Sequence, residues 1–206
     1  MKLIANLISG LFHPLLMVTY GVFIALGFTY LAVYPTTVKL FLLVGIFLTT
    51  AVLPGILVFA MVRMKTVSDF ELTDRKGRVI PYLLFITSIL FSLFCLYRMM
   101  MPMWFLSLIL GFCVAFVITL LINFCWKISA HAVGIGTLLG AVMGLARIHF
   151  ANPYLLFIIL ILIAGSIGTA RIFLQRNTPM QVYGGFSLGF ICTFASAFLS
   201  YVYLFI

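Results

Sequence analysis

The stretch RIFLQRNTPMQVYGG, residues 171–185, is a polar break between two long apolar runs, 154–170 and 182–206. It carries a helix-start signal: Thr178 in the N-cap place, Pro179 at the first helical position, and Gln181 three residues on, able to close a capping box. A helix that begins here turns its unpaired N–H groups and the positive end of its dipole toward Arg171 and Arg176. An anion is the species such an end holds, and phosphate is the commonest one.

Outward from that break the chain is apolar almost without relief. It is 66% hydrophobic and 7% charged, and apolar runs of about 20 residues recur along it, the length a helix needs to cross a bilayer. A spanning backbone must satisfy its own hydrogen bonds, and the alternating ten-residue segments of a membrane barrel are missing from the sequence, so the spans are expected to be helices. The expected fold is therefore all-α, one integral-membrane domain over 1–206. Seven spans are expected at roughly 14–34, 38–62, 81–98, 102–125, 131–147, 154–171 and 181–205. The first apolar run is too long for a signal-peptide h-region and lacks a small-residue cleavage site, so it is expected to be retained.

The net charge of +9 sets twelve Lys and Arg against Asp69, Glu71 and Asp74, all three in one loop. Beside bilayer spans such an excess points to lipid headgroups and topology, not to nucleic acid. Counting crossings puts nine of the twelve basic residues on one face, with Lys39, Arg98, Arg147 and also His149 on the other. By the positive-inside rule the basic face is cytoplasmic, and the expected location is a bacterial cytoplasmic (inner) membrane. In the loop 63–80, Ser68 and Glu71 are placed to cap a short interfacial helix. Cys95, Cys113, Cys125 and Cys192 lie in or beside spans without CxxC spacing, and imply neither disulfide nor metal.

Three polar segments converge on the basic face. One is 171–181. The second, Trp126 to His131, opens the fifth span with Ser129 as N-cap and puts His131 about one turn inside the interface, where an ionisable group is costly and marks function; Lys127 precedes it. The third, Arg75 to Pro81, sets Arg75 and Arg78 on one helix face. Gly136, Gly140 and Gly144, then Gly165 and Thr169, then Gly185 and Gly189, repeat the small-xxx-small pattern of close helix contact.

Ser129-Ala130-His131 resembles the second signature, usually Pro-Ser-Gly-His, of the type 2 phosphatidic acid phosphatase (PAP2) superfamily. Arg171-x5-Asn177-x3-Gln181, followed by Val182 and Gly185, resembles the third, usually Ser-Arg-x5-His-x3-Asp. The resemblance covers the C-terminal 80 residues or so. It implies a PAP2-like helix bundle of six to seven transmembrane helices and a lipid-phosphate phosphatase that acts on a phosphomonoester or diphosphate without metal or organic cofactor. It further implies Arg171 as a phosphate clamp, Ser129 as a ligand to the phosphate oxygens, Lys127, Arg75 and Arg78 as further substrate-binding groups, and His131 as general acid. Its nucleophile position is Asn177 and its orienting position Gln181. An amide cannot form a phosphohistidine, and Gln181 is neutral where the family has Asp; the two changes agree, because an amide leaves no imidazolium to stabilise. The first signature, Lys-x6-Arg-Pro, is not met, since Arg78 is followed by Val79, Ile80 and Pro81.

Two functions follow from these residues: hydrolysis of a lipid phosphate, or binding or transport of one on the same scaffold. Retention of His131, which a carrier does not need, favours the first; Asn177 and Gln181 favour the second. Magnesium-dependent prenyl transfer is disfavoured, because it takes carboxylates from two separated motifs. The partners implied are a phosphorylated lipid and the surrounding membrane lipids.

Overall fold

The computed structural model describes residues 1–65, 75–149 and 152–204. The proposed Ser68–Glu71 cap, and all three acids, lie outside them. The described residues form helices without a strand: α1 (Lys2–Leu11), α2 (Pro14–Phe28), α3 (Thr36–Phe47), α4 (Leu53–Arg63), α5 (Val79–Arg98), α6 (Met103–Asn123), α7 (Ala130–Ile148), α8 (Tyr154–Phe173) and α9 (Pro179–Leu204). Among the described residues, six helical stretches are long and apolar enough to cross a membrane, α3 with α4 as one and then α5 to α9, and the bent pair α1 and α2 makes a seventh if taken as one span. The chain is thus a multi-pass helical membrane protein.

The N-terminal region departs from the expected span over 14–34. Helix begins at Lys2, breaks at residues 12–13, and resumes as α2, bent by 56° from α1; α2 ends at Phe28, before a 3₁₀ turn at Tyr30–Val33. Pro14 causes the break. Its ring disfavours helical backbone in the residue before it, and His13 is extended (φ −65°, ψ 140°). Pro14 then serves as the first residue of α2, where no N–H is needed, and the His13 ring nitrogen Nδ1 accepts from the Leu15 N–H at 3.4 Å.

A second irregularity joins α3 to α4. Residues Leu48–Val52 widen into a π turn. Pro54 lies just beyond; it has no N–H for the carbonyl four residues back and its ring crowds that carbonyl, so the backbone loosens there. Two hydroxyls of the bulge bond back to carbonyls one turn earlier: Thr49 Oγ1 donates to Gly45 O at 2.9 Å and Thr50 Oγ1 to Ile46 O at 2.8 Å. Thr49 also meets Ser92 Oγ of α5 at 2.7 Å, which ties the bulge to its neighbour.

Helix α7 is the centre of the bundle, with 78% of its 18-residue apolar stretch buried against 28% for those of α8 and α9. Its glycines explain how α9 comes so close. A methyl added at Gly136 would overlap the Phe186 carbonyl, one at Gly144 the Ala197 side chain, and one at Gly189 of α9 the Val133 carbonyl; at Gly140 it would lie 2.5 Å from the Phe190 carbonyl oxygen. Gly185 similarly faces Ser129. The Gly165 and Thr169 pair differs from the expected close contact: nothing lies within 4 Å of a methyl at Gly165, and Thr169 is exposed, its hydroxyl bonded to the Gly165 carbonyl of its own helix. That face of α8 borders a groove beside α1.

Candidate functional site

The site is framed by the turn between α8 and α9. Helix α8 closes with the two hydrogen bonds of a Schellman motif, Gln175 N–H to Ile172 O at 2.9 Å and Arg176 N–H to Arg171 O at 3.1 Å, with Gln175 in the left-handed region (φ 55°). The chain therefore reverses at once and brings Asn177 back over Arg171. Helix α9 opens with a closed capping box: Thr178 Oγ1 accepts from Gln181 N–H at 3.4 Å and Gln181 Oε1 from Thr178 N–H at 3.2 Å. Gln181 Oε1 also accepts from Asn177 Nδ2 at 3.1 Å, and Asn177 Oδ1 accepts from Arg171 Nε at 3.3 Å. A single chain of amides thus aims the Arg171 guanidinium.

The start of α7 is joined to the same frame. Ser129 N–H donates to the Gln181 carbonyl at 3.2 Å, and its hydroxyl caps α7 by accepting from Ala132 N–H at 3.4 Å. His131 follows, buried, with Nε2 3.1 Å from the Ser9 carbonyl of α1. A carbonyl only accepts, so Nε2 carries the proton.

Arg78, His131, Arg171 and Asn177 line one cavity of about 50 Å³, together with His13 and Tyr82 and an apolar wall that includes Phe85 and Phe116. Both guanidiniums are almost wholly removed from solvent, Arg78 at 3% and Arg171 at 2% exposure. Arg78 Nη1 donates to the Ile128 carbonyl at 3.0 Å, which anchors it under the α6–α7 turn. The His13 and His131 rings meet edge to face, centroids 5.3 Å apart. These residues come from five separate stretches of chain and gather at one end of the bundle. Tyr30, Trp104 and His149 form an aromatic cluster among themselves at residues that the crossing count sets on the other side.

Four of the residues expected in the site, three as substrate ligands and Gln181 at the nucleophile-orienting position, do not line this cavity. Arg75 Nη1 donates to the Cys125 carbonyl at 2.8 Å, and its own carbonyl accepts from Asn123, so it fastens its loop to the end of α6. Ser129 is spent on the cap and on Gln181. The Gln181 side chain works on the frame, holding Asn177 and the start of α9. Lys127 is half-buried in the α6–α7 turn, outside the lining.

His13 and Tyr82 are the residues that the sequence reading missed. His13 had a signal: a histidine directly before a proline, on the face that gathers the basic segments. Tyr82 had a weaker one, standing one helical turn after Arg78, whose Nη1 lies 3.5 Å from its hydroxyl.

The chain matches no protein-family model, no curated protein and no solved structure. What the arrangement can do chemically is read from its donors. His13, Arg78, His131, Arg171 and Asn177 bring guanidinium, imidazole and carboxamide groups to the lining of a small space with an apolar wall, which suits a compact oxyanion attached to an apolar body.

Proposed function

We propose that this chain is an integral-membrane lipid-phosphate phosphatase of PAP2 type, which binds the phosphate of a lipid headgroup in the cavity between α2, α5, α7 and α8 and hydrolyses its ester or anhydride bond. The observation that carries the reading is the convergence of Arg78, His131, Arg171 and Asn177 on one enclosed cavity. Arg78 and Arg171 hold the phosphoryl oxygens, and charge fixed in advance at a dry site stabilises the transferring group more than it would in water. His131 supplies the imidazole for proton transfer. Asn177 holds Arg171 in line.

A second reading, a lipid-phosphate binding or transport protein, is favoured by one feature: both polar atoms of Asn177 are engaged, Oδ1 by Arg171 and Nδ2 by Gln181, in the position where the family has its nucleophile. Phosphate release from a panel of lipid phosphates separates the two. Release by the purified chain, abolished by His131→Ala, is the expected result. No release from the chain itself, with release on Asn177→His, would overturn hydrolysis in favour of binding.

A further inference from the structure

We infer that His13 is a phosphate-binding residue of this site and that the site takes a ligand with a single terminal phosphoryl group; the inference rests on the lipid-phosphate reading above. His13 stands at the break between α1 and α2, far in sequence from the other polar segments. Because Nδ1 accepts from the Leu15 N–H, the neutral ring carries its proton on Nε2 and is a donor at that atom. The ring packs edge to face on His131 and lines the cavity that holds Arg78, Arg171 and Asn177. Position 177 offers an amide where the resemblance leads one to expect an imidazole, and the α1–α2 break brings a second imidazole to the same cavity.

His13 also lines a second cavity. That cavity, of about 390 Å³, shares His13, Leu15, His131 and Arg171 with the first, and continues past Ala51 and Gly55 beside the π turn. The first cavity, about 50 Å³, has room for about three to five water-sized groups at about 10–15 Å³ each. That matches the oxygens of one phosphoryl group, and is too small for a diphosphate. The larger, mainly apolar chamber suits the chain attached to it. His13 therefore sits where a phosphoryl head meets its alcohol.

The test compares binding of farnesyl monophosphate and farnesyl diphosphate to the full chain in detergent, for the natural sequence, His13→Asn and His13→Ser. Asn and Ser are good N-caps and keep an acceptor for the Leu15 N–H while removing the ring. The expected result is a monophosphate affinity at least about tenfold lower in both variants, one lost hydrogen bond to a charged group, with unchanged melting midpoints, and weaker diphosphate binding by the natural chain. Variants that bind monophosphate like the natural chain would show His13 to be a cap alone and overturn its assignment. Diphosphate bound as tightly as monophosphate would overturn the single-phosphoryl claim. Neither outcome touches the parent reading, whereas a natural chain that binds neither probe removes both.

Discussion

Replacing Gly140 by Ala tests the α7–α9 seam on which the site's frame depends. The added methyl would sit 2.5 Å from the Phe190 carbonyl oxygen and 3.2 Å from its carbon and Cα, all backbone atoms, against an ordinary contact starting at 3.4 Å. No side chain can swing away, so the helices must part by about 0.9 Å, and a gap of about 0.5–1 Å forfeits about a quarter to a half of each dispersion contact along the seam. Overpacking of this kind costs about 1–3 kcal/mol. Removing a helical glycine gives back up to about 1 kcal/mol of intrinsic propensity, so a control is needed. Gly165→Ala provides it, since a methyl there meets nothing within 4 Å. Unfolding of both variants by SDS in mixed micelles, followed by far-UV circular dichroism, should place Gly140→Ala about 1–3 kcal/mol below Gly165→Ala. Equal midpoints would refute the packing argument.

Arg171→Ala should weaken binding of a lipid phosphate by about 1.5–3 kcal/mol, roughly 10- to 150-fold, through the loss of a charge-assisted contact. Arg75→Ala, which removes a guanidinium bonded to the Cys125 carbonyl and outside the cavity lining, should leave that affinity within about twofold; both are read in one equilibrium binding assay. Gln181→Leu should destabilise the chain by about 1–3 kcal/mol, because the Asn177 Nδ2 and Thr178 N–H groups lose their shared acceptor, while Gln181→Glu, which keeps an acceptor oxygen, should recover most of it in the same SDS titration.

The spans were legible because lipid demands apolar runs of fixed length, and that demand is written residue by residue. The α1–α2 break was less so. Lys2, Asn6 and Ser9 interrupt the first ten residues enough to lower their local hydropathy, and α1 is held by packing on α8, a partner some 150 residues away. The π turn left only Pro54 as a trace. In the site, polar segments stood out against an apolar chain, which is why Arg78, His131, Arg171 and Asn177 were found together with their neighbours. What the sequence does not encode locally is the division of labour among them. Ser129 has the chemistry of a phosphate ligand and Gln181 that of an orienting group, and both spend it on caps, since hydroxyls and amides satisfy helix N-termini equally well. Arg75 and Arg78 share a face by spacing, yet only Arg78 lines the cavity.

The hydrogen bond from Asn177 to Gln181 has a bearing on descent. Gln181 Oε1 asks of position 177 only an N–H donor, and an imidazole offers one as readily as a carboxamide does. Asparagine and histidine codons differ by a single base. A lineage could therefore pass between the two residues in one mutation without an intermediate that leaves the Gln181 acceptor unmatched. The amide pair is thus a low barrier to exchange at this position, and close relatives of this chain are expected to carry either residue at 177 while keeping a hydrogen-bond acceptor at 181.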